Sequence, residues 1–181
     1  MPARRAVFAL LTIVMSSLAS CAAFRGVDLS GYPDEQRTLF LHNFTNDSFQ
    51  ADVNVELTES LRREIARREN FRLMPDREGA RLWVYGEITM YRRAGRMFDN
   101  LRTPTRLELL VAVRIKVREN PGENLWVSRE VSARTEFSNR EGFLETEFEA
   151  RQRLLFTLAR RANAVLESEF VNRAPVIADA P

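Results

Sequence analysis

Histidine and cysteine are almost absent from this chain of 181 residues, which contains one of each, His42 and Cys21. Transition-metal sites need several histidine, cysteine or carboxylate ligands at set spacings, and no such spacing occurs here. His42 lies in a predicted strand, where a packed histidine is far more common than a catalytic base. No glycine-rich phosphate-binding loop follows a strand. The sequence therefore predicts no enzyme, no metal and no cofactor.

Lysine is scarce as well, because Lys116 is the only one and arginine carries nearly all the positive charge. The chain has 27 basic and 25 acidic residues, and 27 − 2 = 25 basic residues remain without Arg4 and Arg5, which lie in a segment we expect to be removed. A balanced chain lacks the broad positive surface that nucleic acid requires. We therefore expect no nucleic-acid partner, and any anion must bind at a local cluster.

The N-terminus has the three parts of a secretory signal. Arg4 and Arg5 precede an apolar run over 6–15, and mostly small residues follow over 16–20. The apolar run is too short to span a bilayer comfortably as a mature helix. We therefore predict a signal peptide over residues 1–20.

The signal ends in Leu18-Ala19-Ser20-Cys21, which matches the lipobox of bacterial lipoproteins. An ordinary signal peptide followed by an incidental cysteine is the alternative, but the only cysteine falls where the lipobox needs it. We predict lipidation of Cys21 with fatty acyl chains and a lipidated tether over 21–36. By similarity to bacterial lipoproteins, Ala22 at the next position favours transport to the outer membrane.

The sequence that follows the predicted tether indicates one α+β domain over 37–172. Alternation and four-residue periodicity predict elements in the order β-α-β-β-β-α. The predicted elements are a strand over 37–44, a helix after Ser48, strands over 81–92, 106–118 and 125–135, and a helix over 141–171. This order predicts a four-stranded mixed sheet with two helices packed on one face, the first strand being parallel to its neighbour. The tail over 173–181, with two prolines, is predicted to be disordered.

The outward face of the predicted sheet carries large side chains. Simple alternation places on it Trp83, Tyr85, Tyr91, Leu110 and Trp126. Aromatic groups with one polar end suit protein interfaces. We predict a partner interface here, and the alternative is that the N-terminal segment folds over this face.

A predicted loop over 93–104 is rich in arginine. Five arginines lie in or beside it, against one acid, Asp99; they are Arg92, Arg93, Arg96, Arg102 and Arg106. The apolar residues among them are Met97, Phe98 and Leu101. A basic, partly apolar loop suits an anionic lipid headgroup, so these arginines are candidate lipid-binding residues. The alternative is a solvated charged loop.

Several short segments, in order, resemble the LptE family of lipopolysaccharide-assembly lipoproteins. They are Asn43-Phe44-Thr45-Asn46, Leu57-Thr58-Glu59-Ser60-Leu61, Val84-Tyr85-Gly86-Glu87-Ile88, Tyr91-Arg92-Arg93 and Leu125-Trp126. Two positions depart from the family pattern, because Arg81 replaces the usual aspartate and Gly95 stands where many relatives have proline.

The resemblance implies a role without catalytic residues. LptE-like proteins insert into an outer-membrane β-barrel, LptD, and help it place lipopolysaccharide in the outer leaflet. The resemblance therefore implies that this chain has an LptD-like barrel and lipopolysaccharide as partners. It also implies a lipid-anchored position at the periplasmic face of the outer membrane. The alternative is an outer-membrane lipoprotein that activates a peptidoglycan synthase or forms part of a secretion pore, although these usually lack the long hairpin strand followed by leucine-tryptophan.

Overall fold

The computed structural model describes residues 27–120, 125–138 and 145–173. The helices are α1 (Val53–Arg68) and α2 (Glu147–Arg173), and a short 3-10 helix covers Asp34–Arg37. The strands are β1 (Thr38–Leu41), β2 (Thr45–Asn46), β3 (Arg72–Leu73), β4 (Leu82–Phe98), β5 (Pro104–Glu119), β6 (Leu125–Val127) and β7 (Val131–Ser138). The α+β class is confirmed, but the sheet has seven strands rather than four. The predicted signal peptide, Cys21 and the tail beyond Arg173 lie outside the described residues.

The sheet is mixed and is built around one long antiparallel hairpin. Its order is β3-β1-β4-β5-β6, with β2 also paired to β4 and β7 to β5. The first strand is parallel to β4, as predicted, with Leu39 opposite Leu82. The single strand predicted over 125–135 is two strands, because Ser128 forms a bulge against β5. Its backbone N–H donates to the Ile115 carbonyl at 2.7 Å, and its hydroxyl accepts the Ile115 N–H at 3.0 Å.

One face of the sheet and both helices form a single apolar core. The alternating residues of β5 face this core as predicted, and they are Leu107, Leu109, Val111, Val113, Ile115 and Val117. The predicted apolar face of α1, with Leu57 and Leu61, packs in the same cluster, as do Leu154 and Leu158 of α2. Burial of these apolar surfaces is the main favourable contribution to folding.

The segment before α1 is fastened to both the helix and the sheet. The Phe44 ring lies against Gly86 of β4, where a Cβ atom would come within 2.3 Å of the ring. The Phe44 N–H donates to Thr58 Oγ1 at 3.0 Å, and Asn54 Nδ2 donates to the Phe44 carbonyl at 3.0 Å. Gly86 is therefore a position where only glycine leaves room for the ring.

A one-residue bulge in β4 reverses the side chains beyond it. Ile88 lies opposite Val113, whereas Met90 lies opposite Ala112, so Thr89 is an extra residue. Such an insertion moves the side chains that follow it to the other face, here as far as Gly95, where the register shifts again. Tyr91 therefore joins the core and Met90 becomes 41% exposed.

The N-terminal residues that the structure describes pack on the domain. Leu29 is fully buried, and the rings of Tyr32 and Phe170 meet edge to face at 5.1 Å. Asn70 Nδ2 donates to the Val27 carbonyl at 2.8 Å. Residues 27–36, which we assigned to the tether, therefore lie against the end of α2.

Two buried carboxylates are paired with arginine where the helices meet. Glu64 Oε1 accepts from Arg67 and from Arg68, each at 2.8 Å. Arg68 also contacts Glu167 of α2, with Nη1 and Oε2 3.2 Å apart. Burial alone would raise the pKa of Glu64, but the hydrogen bonds and charges of the two arginines hold that pKa below its ordinary value. This pairing joins α1 to α2 without leaving a buried charge unpaired.

The lowered pKa of Glu64 predicts a specific loss of stability in acid. Its contribution is complete above the ordinary glutamate pKa, near 4.5, and is lost as the pH falls through the lower folded-state pKa. Glu64→Gln should cost about 1–3 kcal/mol at neutral pH, because Arg67 and Arg68 lose a charged acceptor. The variant should also lose less stability than the parent as the pH falls below about 5, because it lacks the carboxylate that becomes protonated. Thermal melts across that range measure both effects, and parallel pH profiles would contradict the assignment.

Candidate functional site

The arginine-rich segment predicted as a loop is mostly strand. β4 continues to Phe98 and β5 begins at Pro104, so only residues 99–103 form the turn. Asp99 Oδ1 accepts the N–H groups of Leu101 and Thr103, both at 2.8 Å. The loop assignment over 93–104 was wrong because a strand with a bulge lacks the simple alternation that reveals a strand.

The structure divides the five candidate arginines among three places. Arg92, Arg96 and Arg106 lie beside Glu108 or Glu136 on the outward face of the sheet. Arg93 lies on the helix side, where Nη1 is 3.1 Å from Oε2 of Glu147. Arg102 lies in the turn with a positive φ of 64°. They therefore do not form one free cationic loop.

The outward arginines are ion-paired only loosely. Arg92 and Arg96 lie 3.5 and 3.7 Å from the two carboxylate oxygens of Glu108. Arg96 and Arg106 lie 3.9 and 3.7 Å from Glu136. These distances exceed the usual N–H···O length of about 2.7–3.2 Å. The guanidinium donors therefore remain available to another anion.

Arg134 belongs to the same surface and was missed by the sequence analysis. It is exposed on β7 and lies opposite Leu110, which itself lies opposite Arg92. Alternation within β7, with Ser132, Arg134 and Glu136 outward, was the signal that could have found it. We call this surface the hairpin patch, and it consists of Arg92, Arg96, Arg106 and Arg134 with Glu108 and Glu136. Four arginines against two glutamates make it positive.

Apolar side chains extend the hairpin beyond the patch. Met97 is 55%, Phe98 57% and Leu101 86% exposed. Surface patches that join apolar groups to arginine suit an amphiphile with a phosphate headgroup. The tip of the hairpin is thus amphipathic, as the sequence predicted, although it is built from strands.

Trp83 and Tyr85 lie on the outward face at the other end of the hairpin, as predicted. Together with Phe40 and His42 they form a set that we call the aromatic cluster. The His42 ring stacks on Tyr85 with centroids 4.1 Å apart, and Phe40 meets His42 edge to face at 4.7 Å. The Arg77 guanidinium lies 3.8 Å above the Trp83 ring. All four members of the aromatic cluster are half-buried.

Tyr91 and Trp126 are not on the outward face, so their placement there was wrong. Tyr91 lies opposite Val111 because of the bulge at Thr89, and Trp126 lies opposite Val117. Paired residues point to the same side of a sheet, and both valines face the core. Both aromatic rings are therefore core residues.

The one histidine of the chain is packed within the aromatic cluster. Burial first, and the nearby charge of Arg77 second, lower the pKa of His42, which favours its neutral form. No cluster of three or more potential metal ligands occurs among residues 27–120, 125–138 and 145–173. Within the same ranges, no helix has the length and apolar character needed to cross a bilayer.

Comparison with solved structures identifies the same fold in other proteins. A hypothetical protein of Chlamydia trachomatis is 12% identical with a TM-score of 0.53, and the match covers 76% of this chain and 99% of that one. Rare lipoprotein B of Shewanella oneidensis is 15% identical with a TM-score of 0.50, over 75% and 97%. No curated protein sequence matches the chain.

The family comparison covers all seven strands, α1 and all but the last residue of α2. The family model described as LptE, lipopolysaccharide-assembly, matches residues 36–172. That range begins in the 3-10 helix before β1 and ends one residue before the end of α2. The chain belongs to the LptE family.

Proposed function

We propose that this protein is a lipid-anchored outer-membrane lipoprotein that binds a β-barrel of the LptD type and assists the placement of lipopolysaccharide in the outer leaflet. The match to the LptE family over residues 36–172 is the observation that carries this proposal. The predicted lipobox at Cys21 supports the anchor. The role is one of binding and assembly, with no catalytic step.

The hairpin patch supports the lipopolysaccharide part of the proposal. Lipid A presents phosphates beside acyl chains, and the patch presents arginines beside Met97, Phe98 and Leu101. Arginine binds phosphate with two parallel hydrogen bonds, and the loose pairing with Glu108 and Glu136 leaves donors for them. We assign lipid A to this end of the hairpin.

The aromatic cluster supports the barrel part. Trp83 and Tyr85 present large ring surfaces next to Arg118 and Lys116, which lie opposite them on β5. Aromatic and cationic groups together are enriched at protein interfaces. We assign the barrel partner to this end of the outward face.

Lipidation at Cys21 gives a direct test of the anchor. Replacing Cys21 with serine removes the thiol that accepts the lipid, so the chain should incorporate no labelled fatty acid and should leave the membrane fraction or accumulate as precursor. Metabolic labelling followed by fractionation measures this. Labelled Cys21→Ser protein would refute the predicted lipid site.

The hairpin patch predicts salt-sensitive binding of lipopolysaccharide. The combined change Arg92→Gln, Arg96→Gln and Arg106→Gln should weaken binding at least tenfold, since one charge-assisted hydrogen bond contributes about 1.5–3 kcal/mol. High salt should weaken binding by the parent, because it screens exposed charges. The measurement is a titration of the soluble chain from Ala22 onward with lipopolysaccharide.

A matched variant on the same face controls for total charge. Arg114→Gln, Lys116→Gln and Arg118→Gln removes three cations at the other end of β5 and should leave lipopolysaccharide affinity within about twofold, as expected of changes distant from the site. In the variant that lacks Arg92, Arg96 and Arg106, the buried Glu108 has lost its arginine partners. Near-ultraviolet circular dichroism of that variant checks that its fold is intact. Equal losses in the two variants would mean that only net charge matters.

Recovery of partners in mild detergent tests the aromatic cluster and the proposed partner. The parent should recover an outer-membrane barrel, and Trp83→Ala with Tyr85→Ala should recover much less. Phe148→Ala with Phe156→Ala is the control, because both rings are more than half exposed on α2. Recovery of a peptidoglycan synthase or a secretion pore instead of a barrel would support the alternative function.

A further inference from the structure

An apolar cavity opens between the sheet and the last turns of α2. Its volume is about 210 Å³, and its walls include Leu39, Val84, Val117, Trp126, Leu166 and Phe170. The first four belong to the core face of the sheet and the other two to α2. We call this cavity the helix-end pocket. It lies at the opposite end of β4 from the hairpin patch, so the two are separate sites.

The size and walls of the pocket suit part of a single hydrocarbon chain. Pockets for drug-sized ligands have volumes of about 300–1,000 Å³, which is larger than this one. A dry protein cavity of about 150 Å³ accepts benzene, so on the same scale this pocket holds about eight carbon atoms. Apolar walls also disfavour a sugar or a nucleotide, whose polar groups would lose hydrogen bonds to water.

The polar part of the pocket lining consists of two arginines, Arg81 and Arg173, two glutamates, Glu119 and Glu169, and Gln36. Arg81 Nη1 donates to the Asn120 carbonyl at 2.8 Å, and Arg173 Nε donates to Glu169 at 3.2 Å. The Arg173 guanidinium lies 5.7 Å from the centre of the Trp126 ring, at the edge of the apolar wall. A guanidinium has five N–H donors, so both groups can bind a carboxylate or phosphate as well.

The pocket also lies near the segment that leads to the predicted lipid anchor. Phe71 lines it, and the neighbouring Asn70 holds the Val27 carbonyl at 2.8 Å. Val27 is six positions after Cys21, which corresponds to at most about 20 Å of extended chain. An anchor at Cys21 therefore keeps the mouth of the pocket within reach of the membrane surface, where single-chain amphiphiles are found.

We propose that the helix-end pocket binds the end of one acyl chain of an anionic amphiphile, while Arg81 and Arg173 contact its carboxylate or phosphate. Leu166 and Phe170 on one side and Trp126 on the other enclose the chain. The headgroup stays in solvent at the mouth.

Tryptophan fluorescence tests this directly, because the protein has two tryptophans and only Trp126 lines the pocket. The full lipidated protein, as parent and as Trp83→Phe, is placed in phosphatidylcholine vesicles. Palmitate brominated on its terminal carbon is then added, since bromine quenches indole fluorescence on contact. In both proteins, quenching of Trp126 should reach a plateau as the palmitate concentration rises. Palmitate brominated next to its carboxylate should quench Trp126 less, because that carbon stays at the mouth of the pocket. The Trp126→Phe protein, with Trp83 alone, should show neither effect.

Variants at the mouth test the headgroup contact. Arg81→Gln with Arg173→Gln should weaken the affinity measured by saturable quenching at least tenfold, because even one charge-assisted hydrogen bond contributes about 1.5–3 kcal/mol. Arg129→Gln with Arg160→Gln, at positions that do not line the pocket, should leave it unchanged. Lysophosphatidylglycerol with the same brominated chain distinguishes a phospholipid from a free fatty acid, because the natural source should bind more tightly.

Three results would overturn the proposal. Equal or non-saturating quenching by the two brominated palmitates would show contact with the bilayer alone. Quenching that appears only in Cys21→Ser would show that the protein's own acyl chain fills the pocket. Quenching that appears only after removal of residues 174–181 would show that the end of the chain, with Val176 and Ile177, excludes lipid from the intact protein.

Discussion

The pairing of β4 with β5, together with the extra residue at Thr89, is the constraint on which the rest of the structure depends. Before Thr89, the even-numbered residues of β4 face the helices, and beyond it Tyr91 and Arg93 do. That reversal places Tyr91 in the core, directs Arg93 to Glu147 on α2, and leaves Arg92 outward beside Glu108. Without the bulge, Arg92 would face the helices and the hairpin patch would lose one of its arginines.

The same hairpin separates two chemically different ends of the molecule. Seventeen residues of β4 correspond to about 55 Å of strand, which exceeds the thickness of a bilayer with its headgroups, about 40–45 Å. One end carries exposed apolar residues and loosely paired arginines. The other end carries the aromatic cluster, the helix-end pocket and the docked segment near Val27. A protein anchored at its N-terminus can therefore present the hairpin patch far from the leaflet that holds the anchor.

The balance of arginine and glutamate explains how a chain with little net charge can hold a local positive surface. In the interior, Glu64 and Glu167 are matched by Arg67 and Arg68 at hydrogen-bonding distances, and those charges serve the packing of α1 on α2. At the hairpin patch the pairs are longer and the arginines are more than half exposed, although Glu108 itself is buried, so the arginines keep donors for another anion. The difference lies in distance and burial, and composition does not reveal it.

The sequence by itself determined the elements whose patterns are regular. The alternation of β5 identified its core face from Leu107 to Val117, the periodicity of α1 identified Leu57 and Leu61, and short ordered segments identified the family. The sequence did not reveal the bulges at Thr89 and Ser128. One inserted residue reverses which side chains of a strand face the core, but it leaves the composition of the strand unchanged. The partners of Arg93 and Arg92, the place of Trp126 in the core, and the pocket beside Phe170 were decided only by the tertiary structure, since each depends on residues far apart in the chain that meet when the helices close over the sheet.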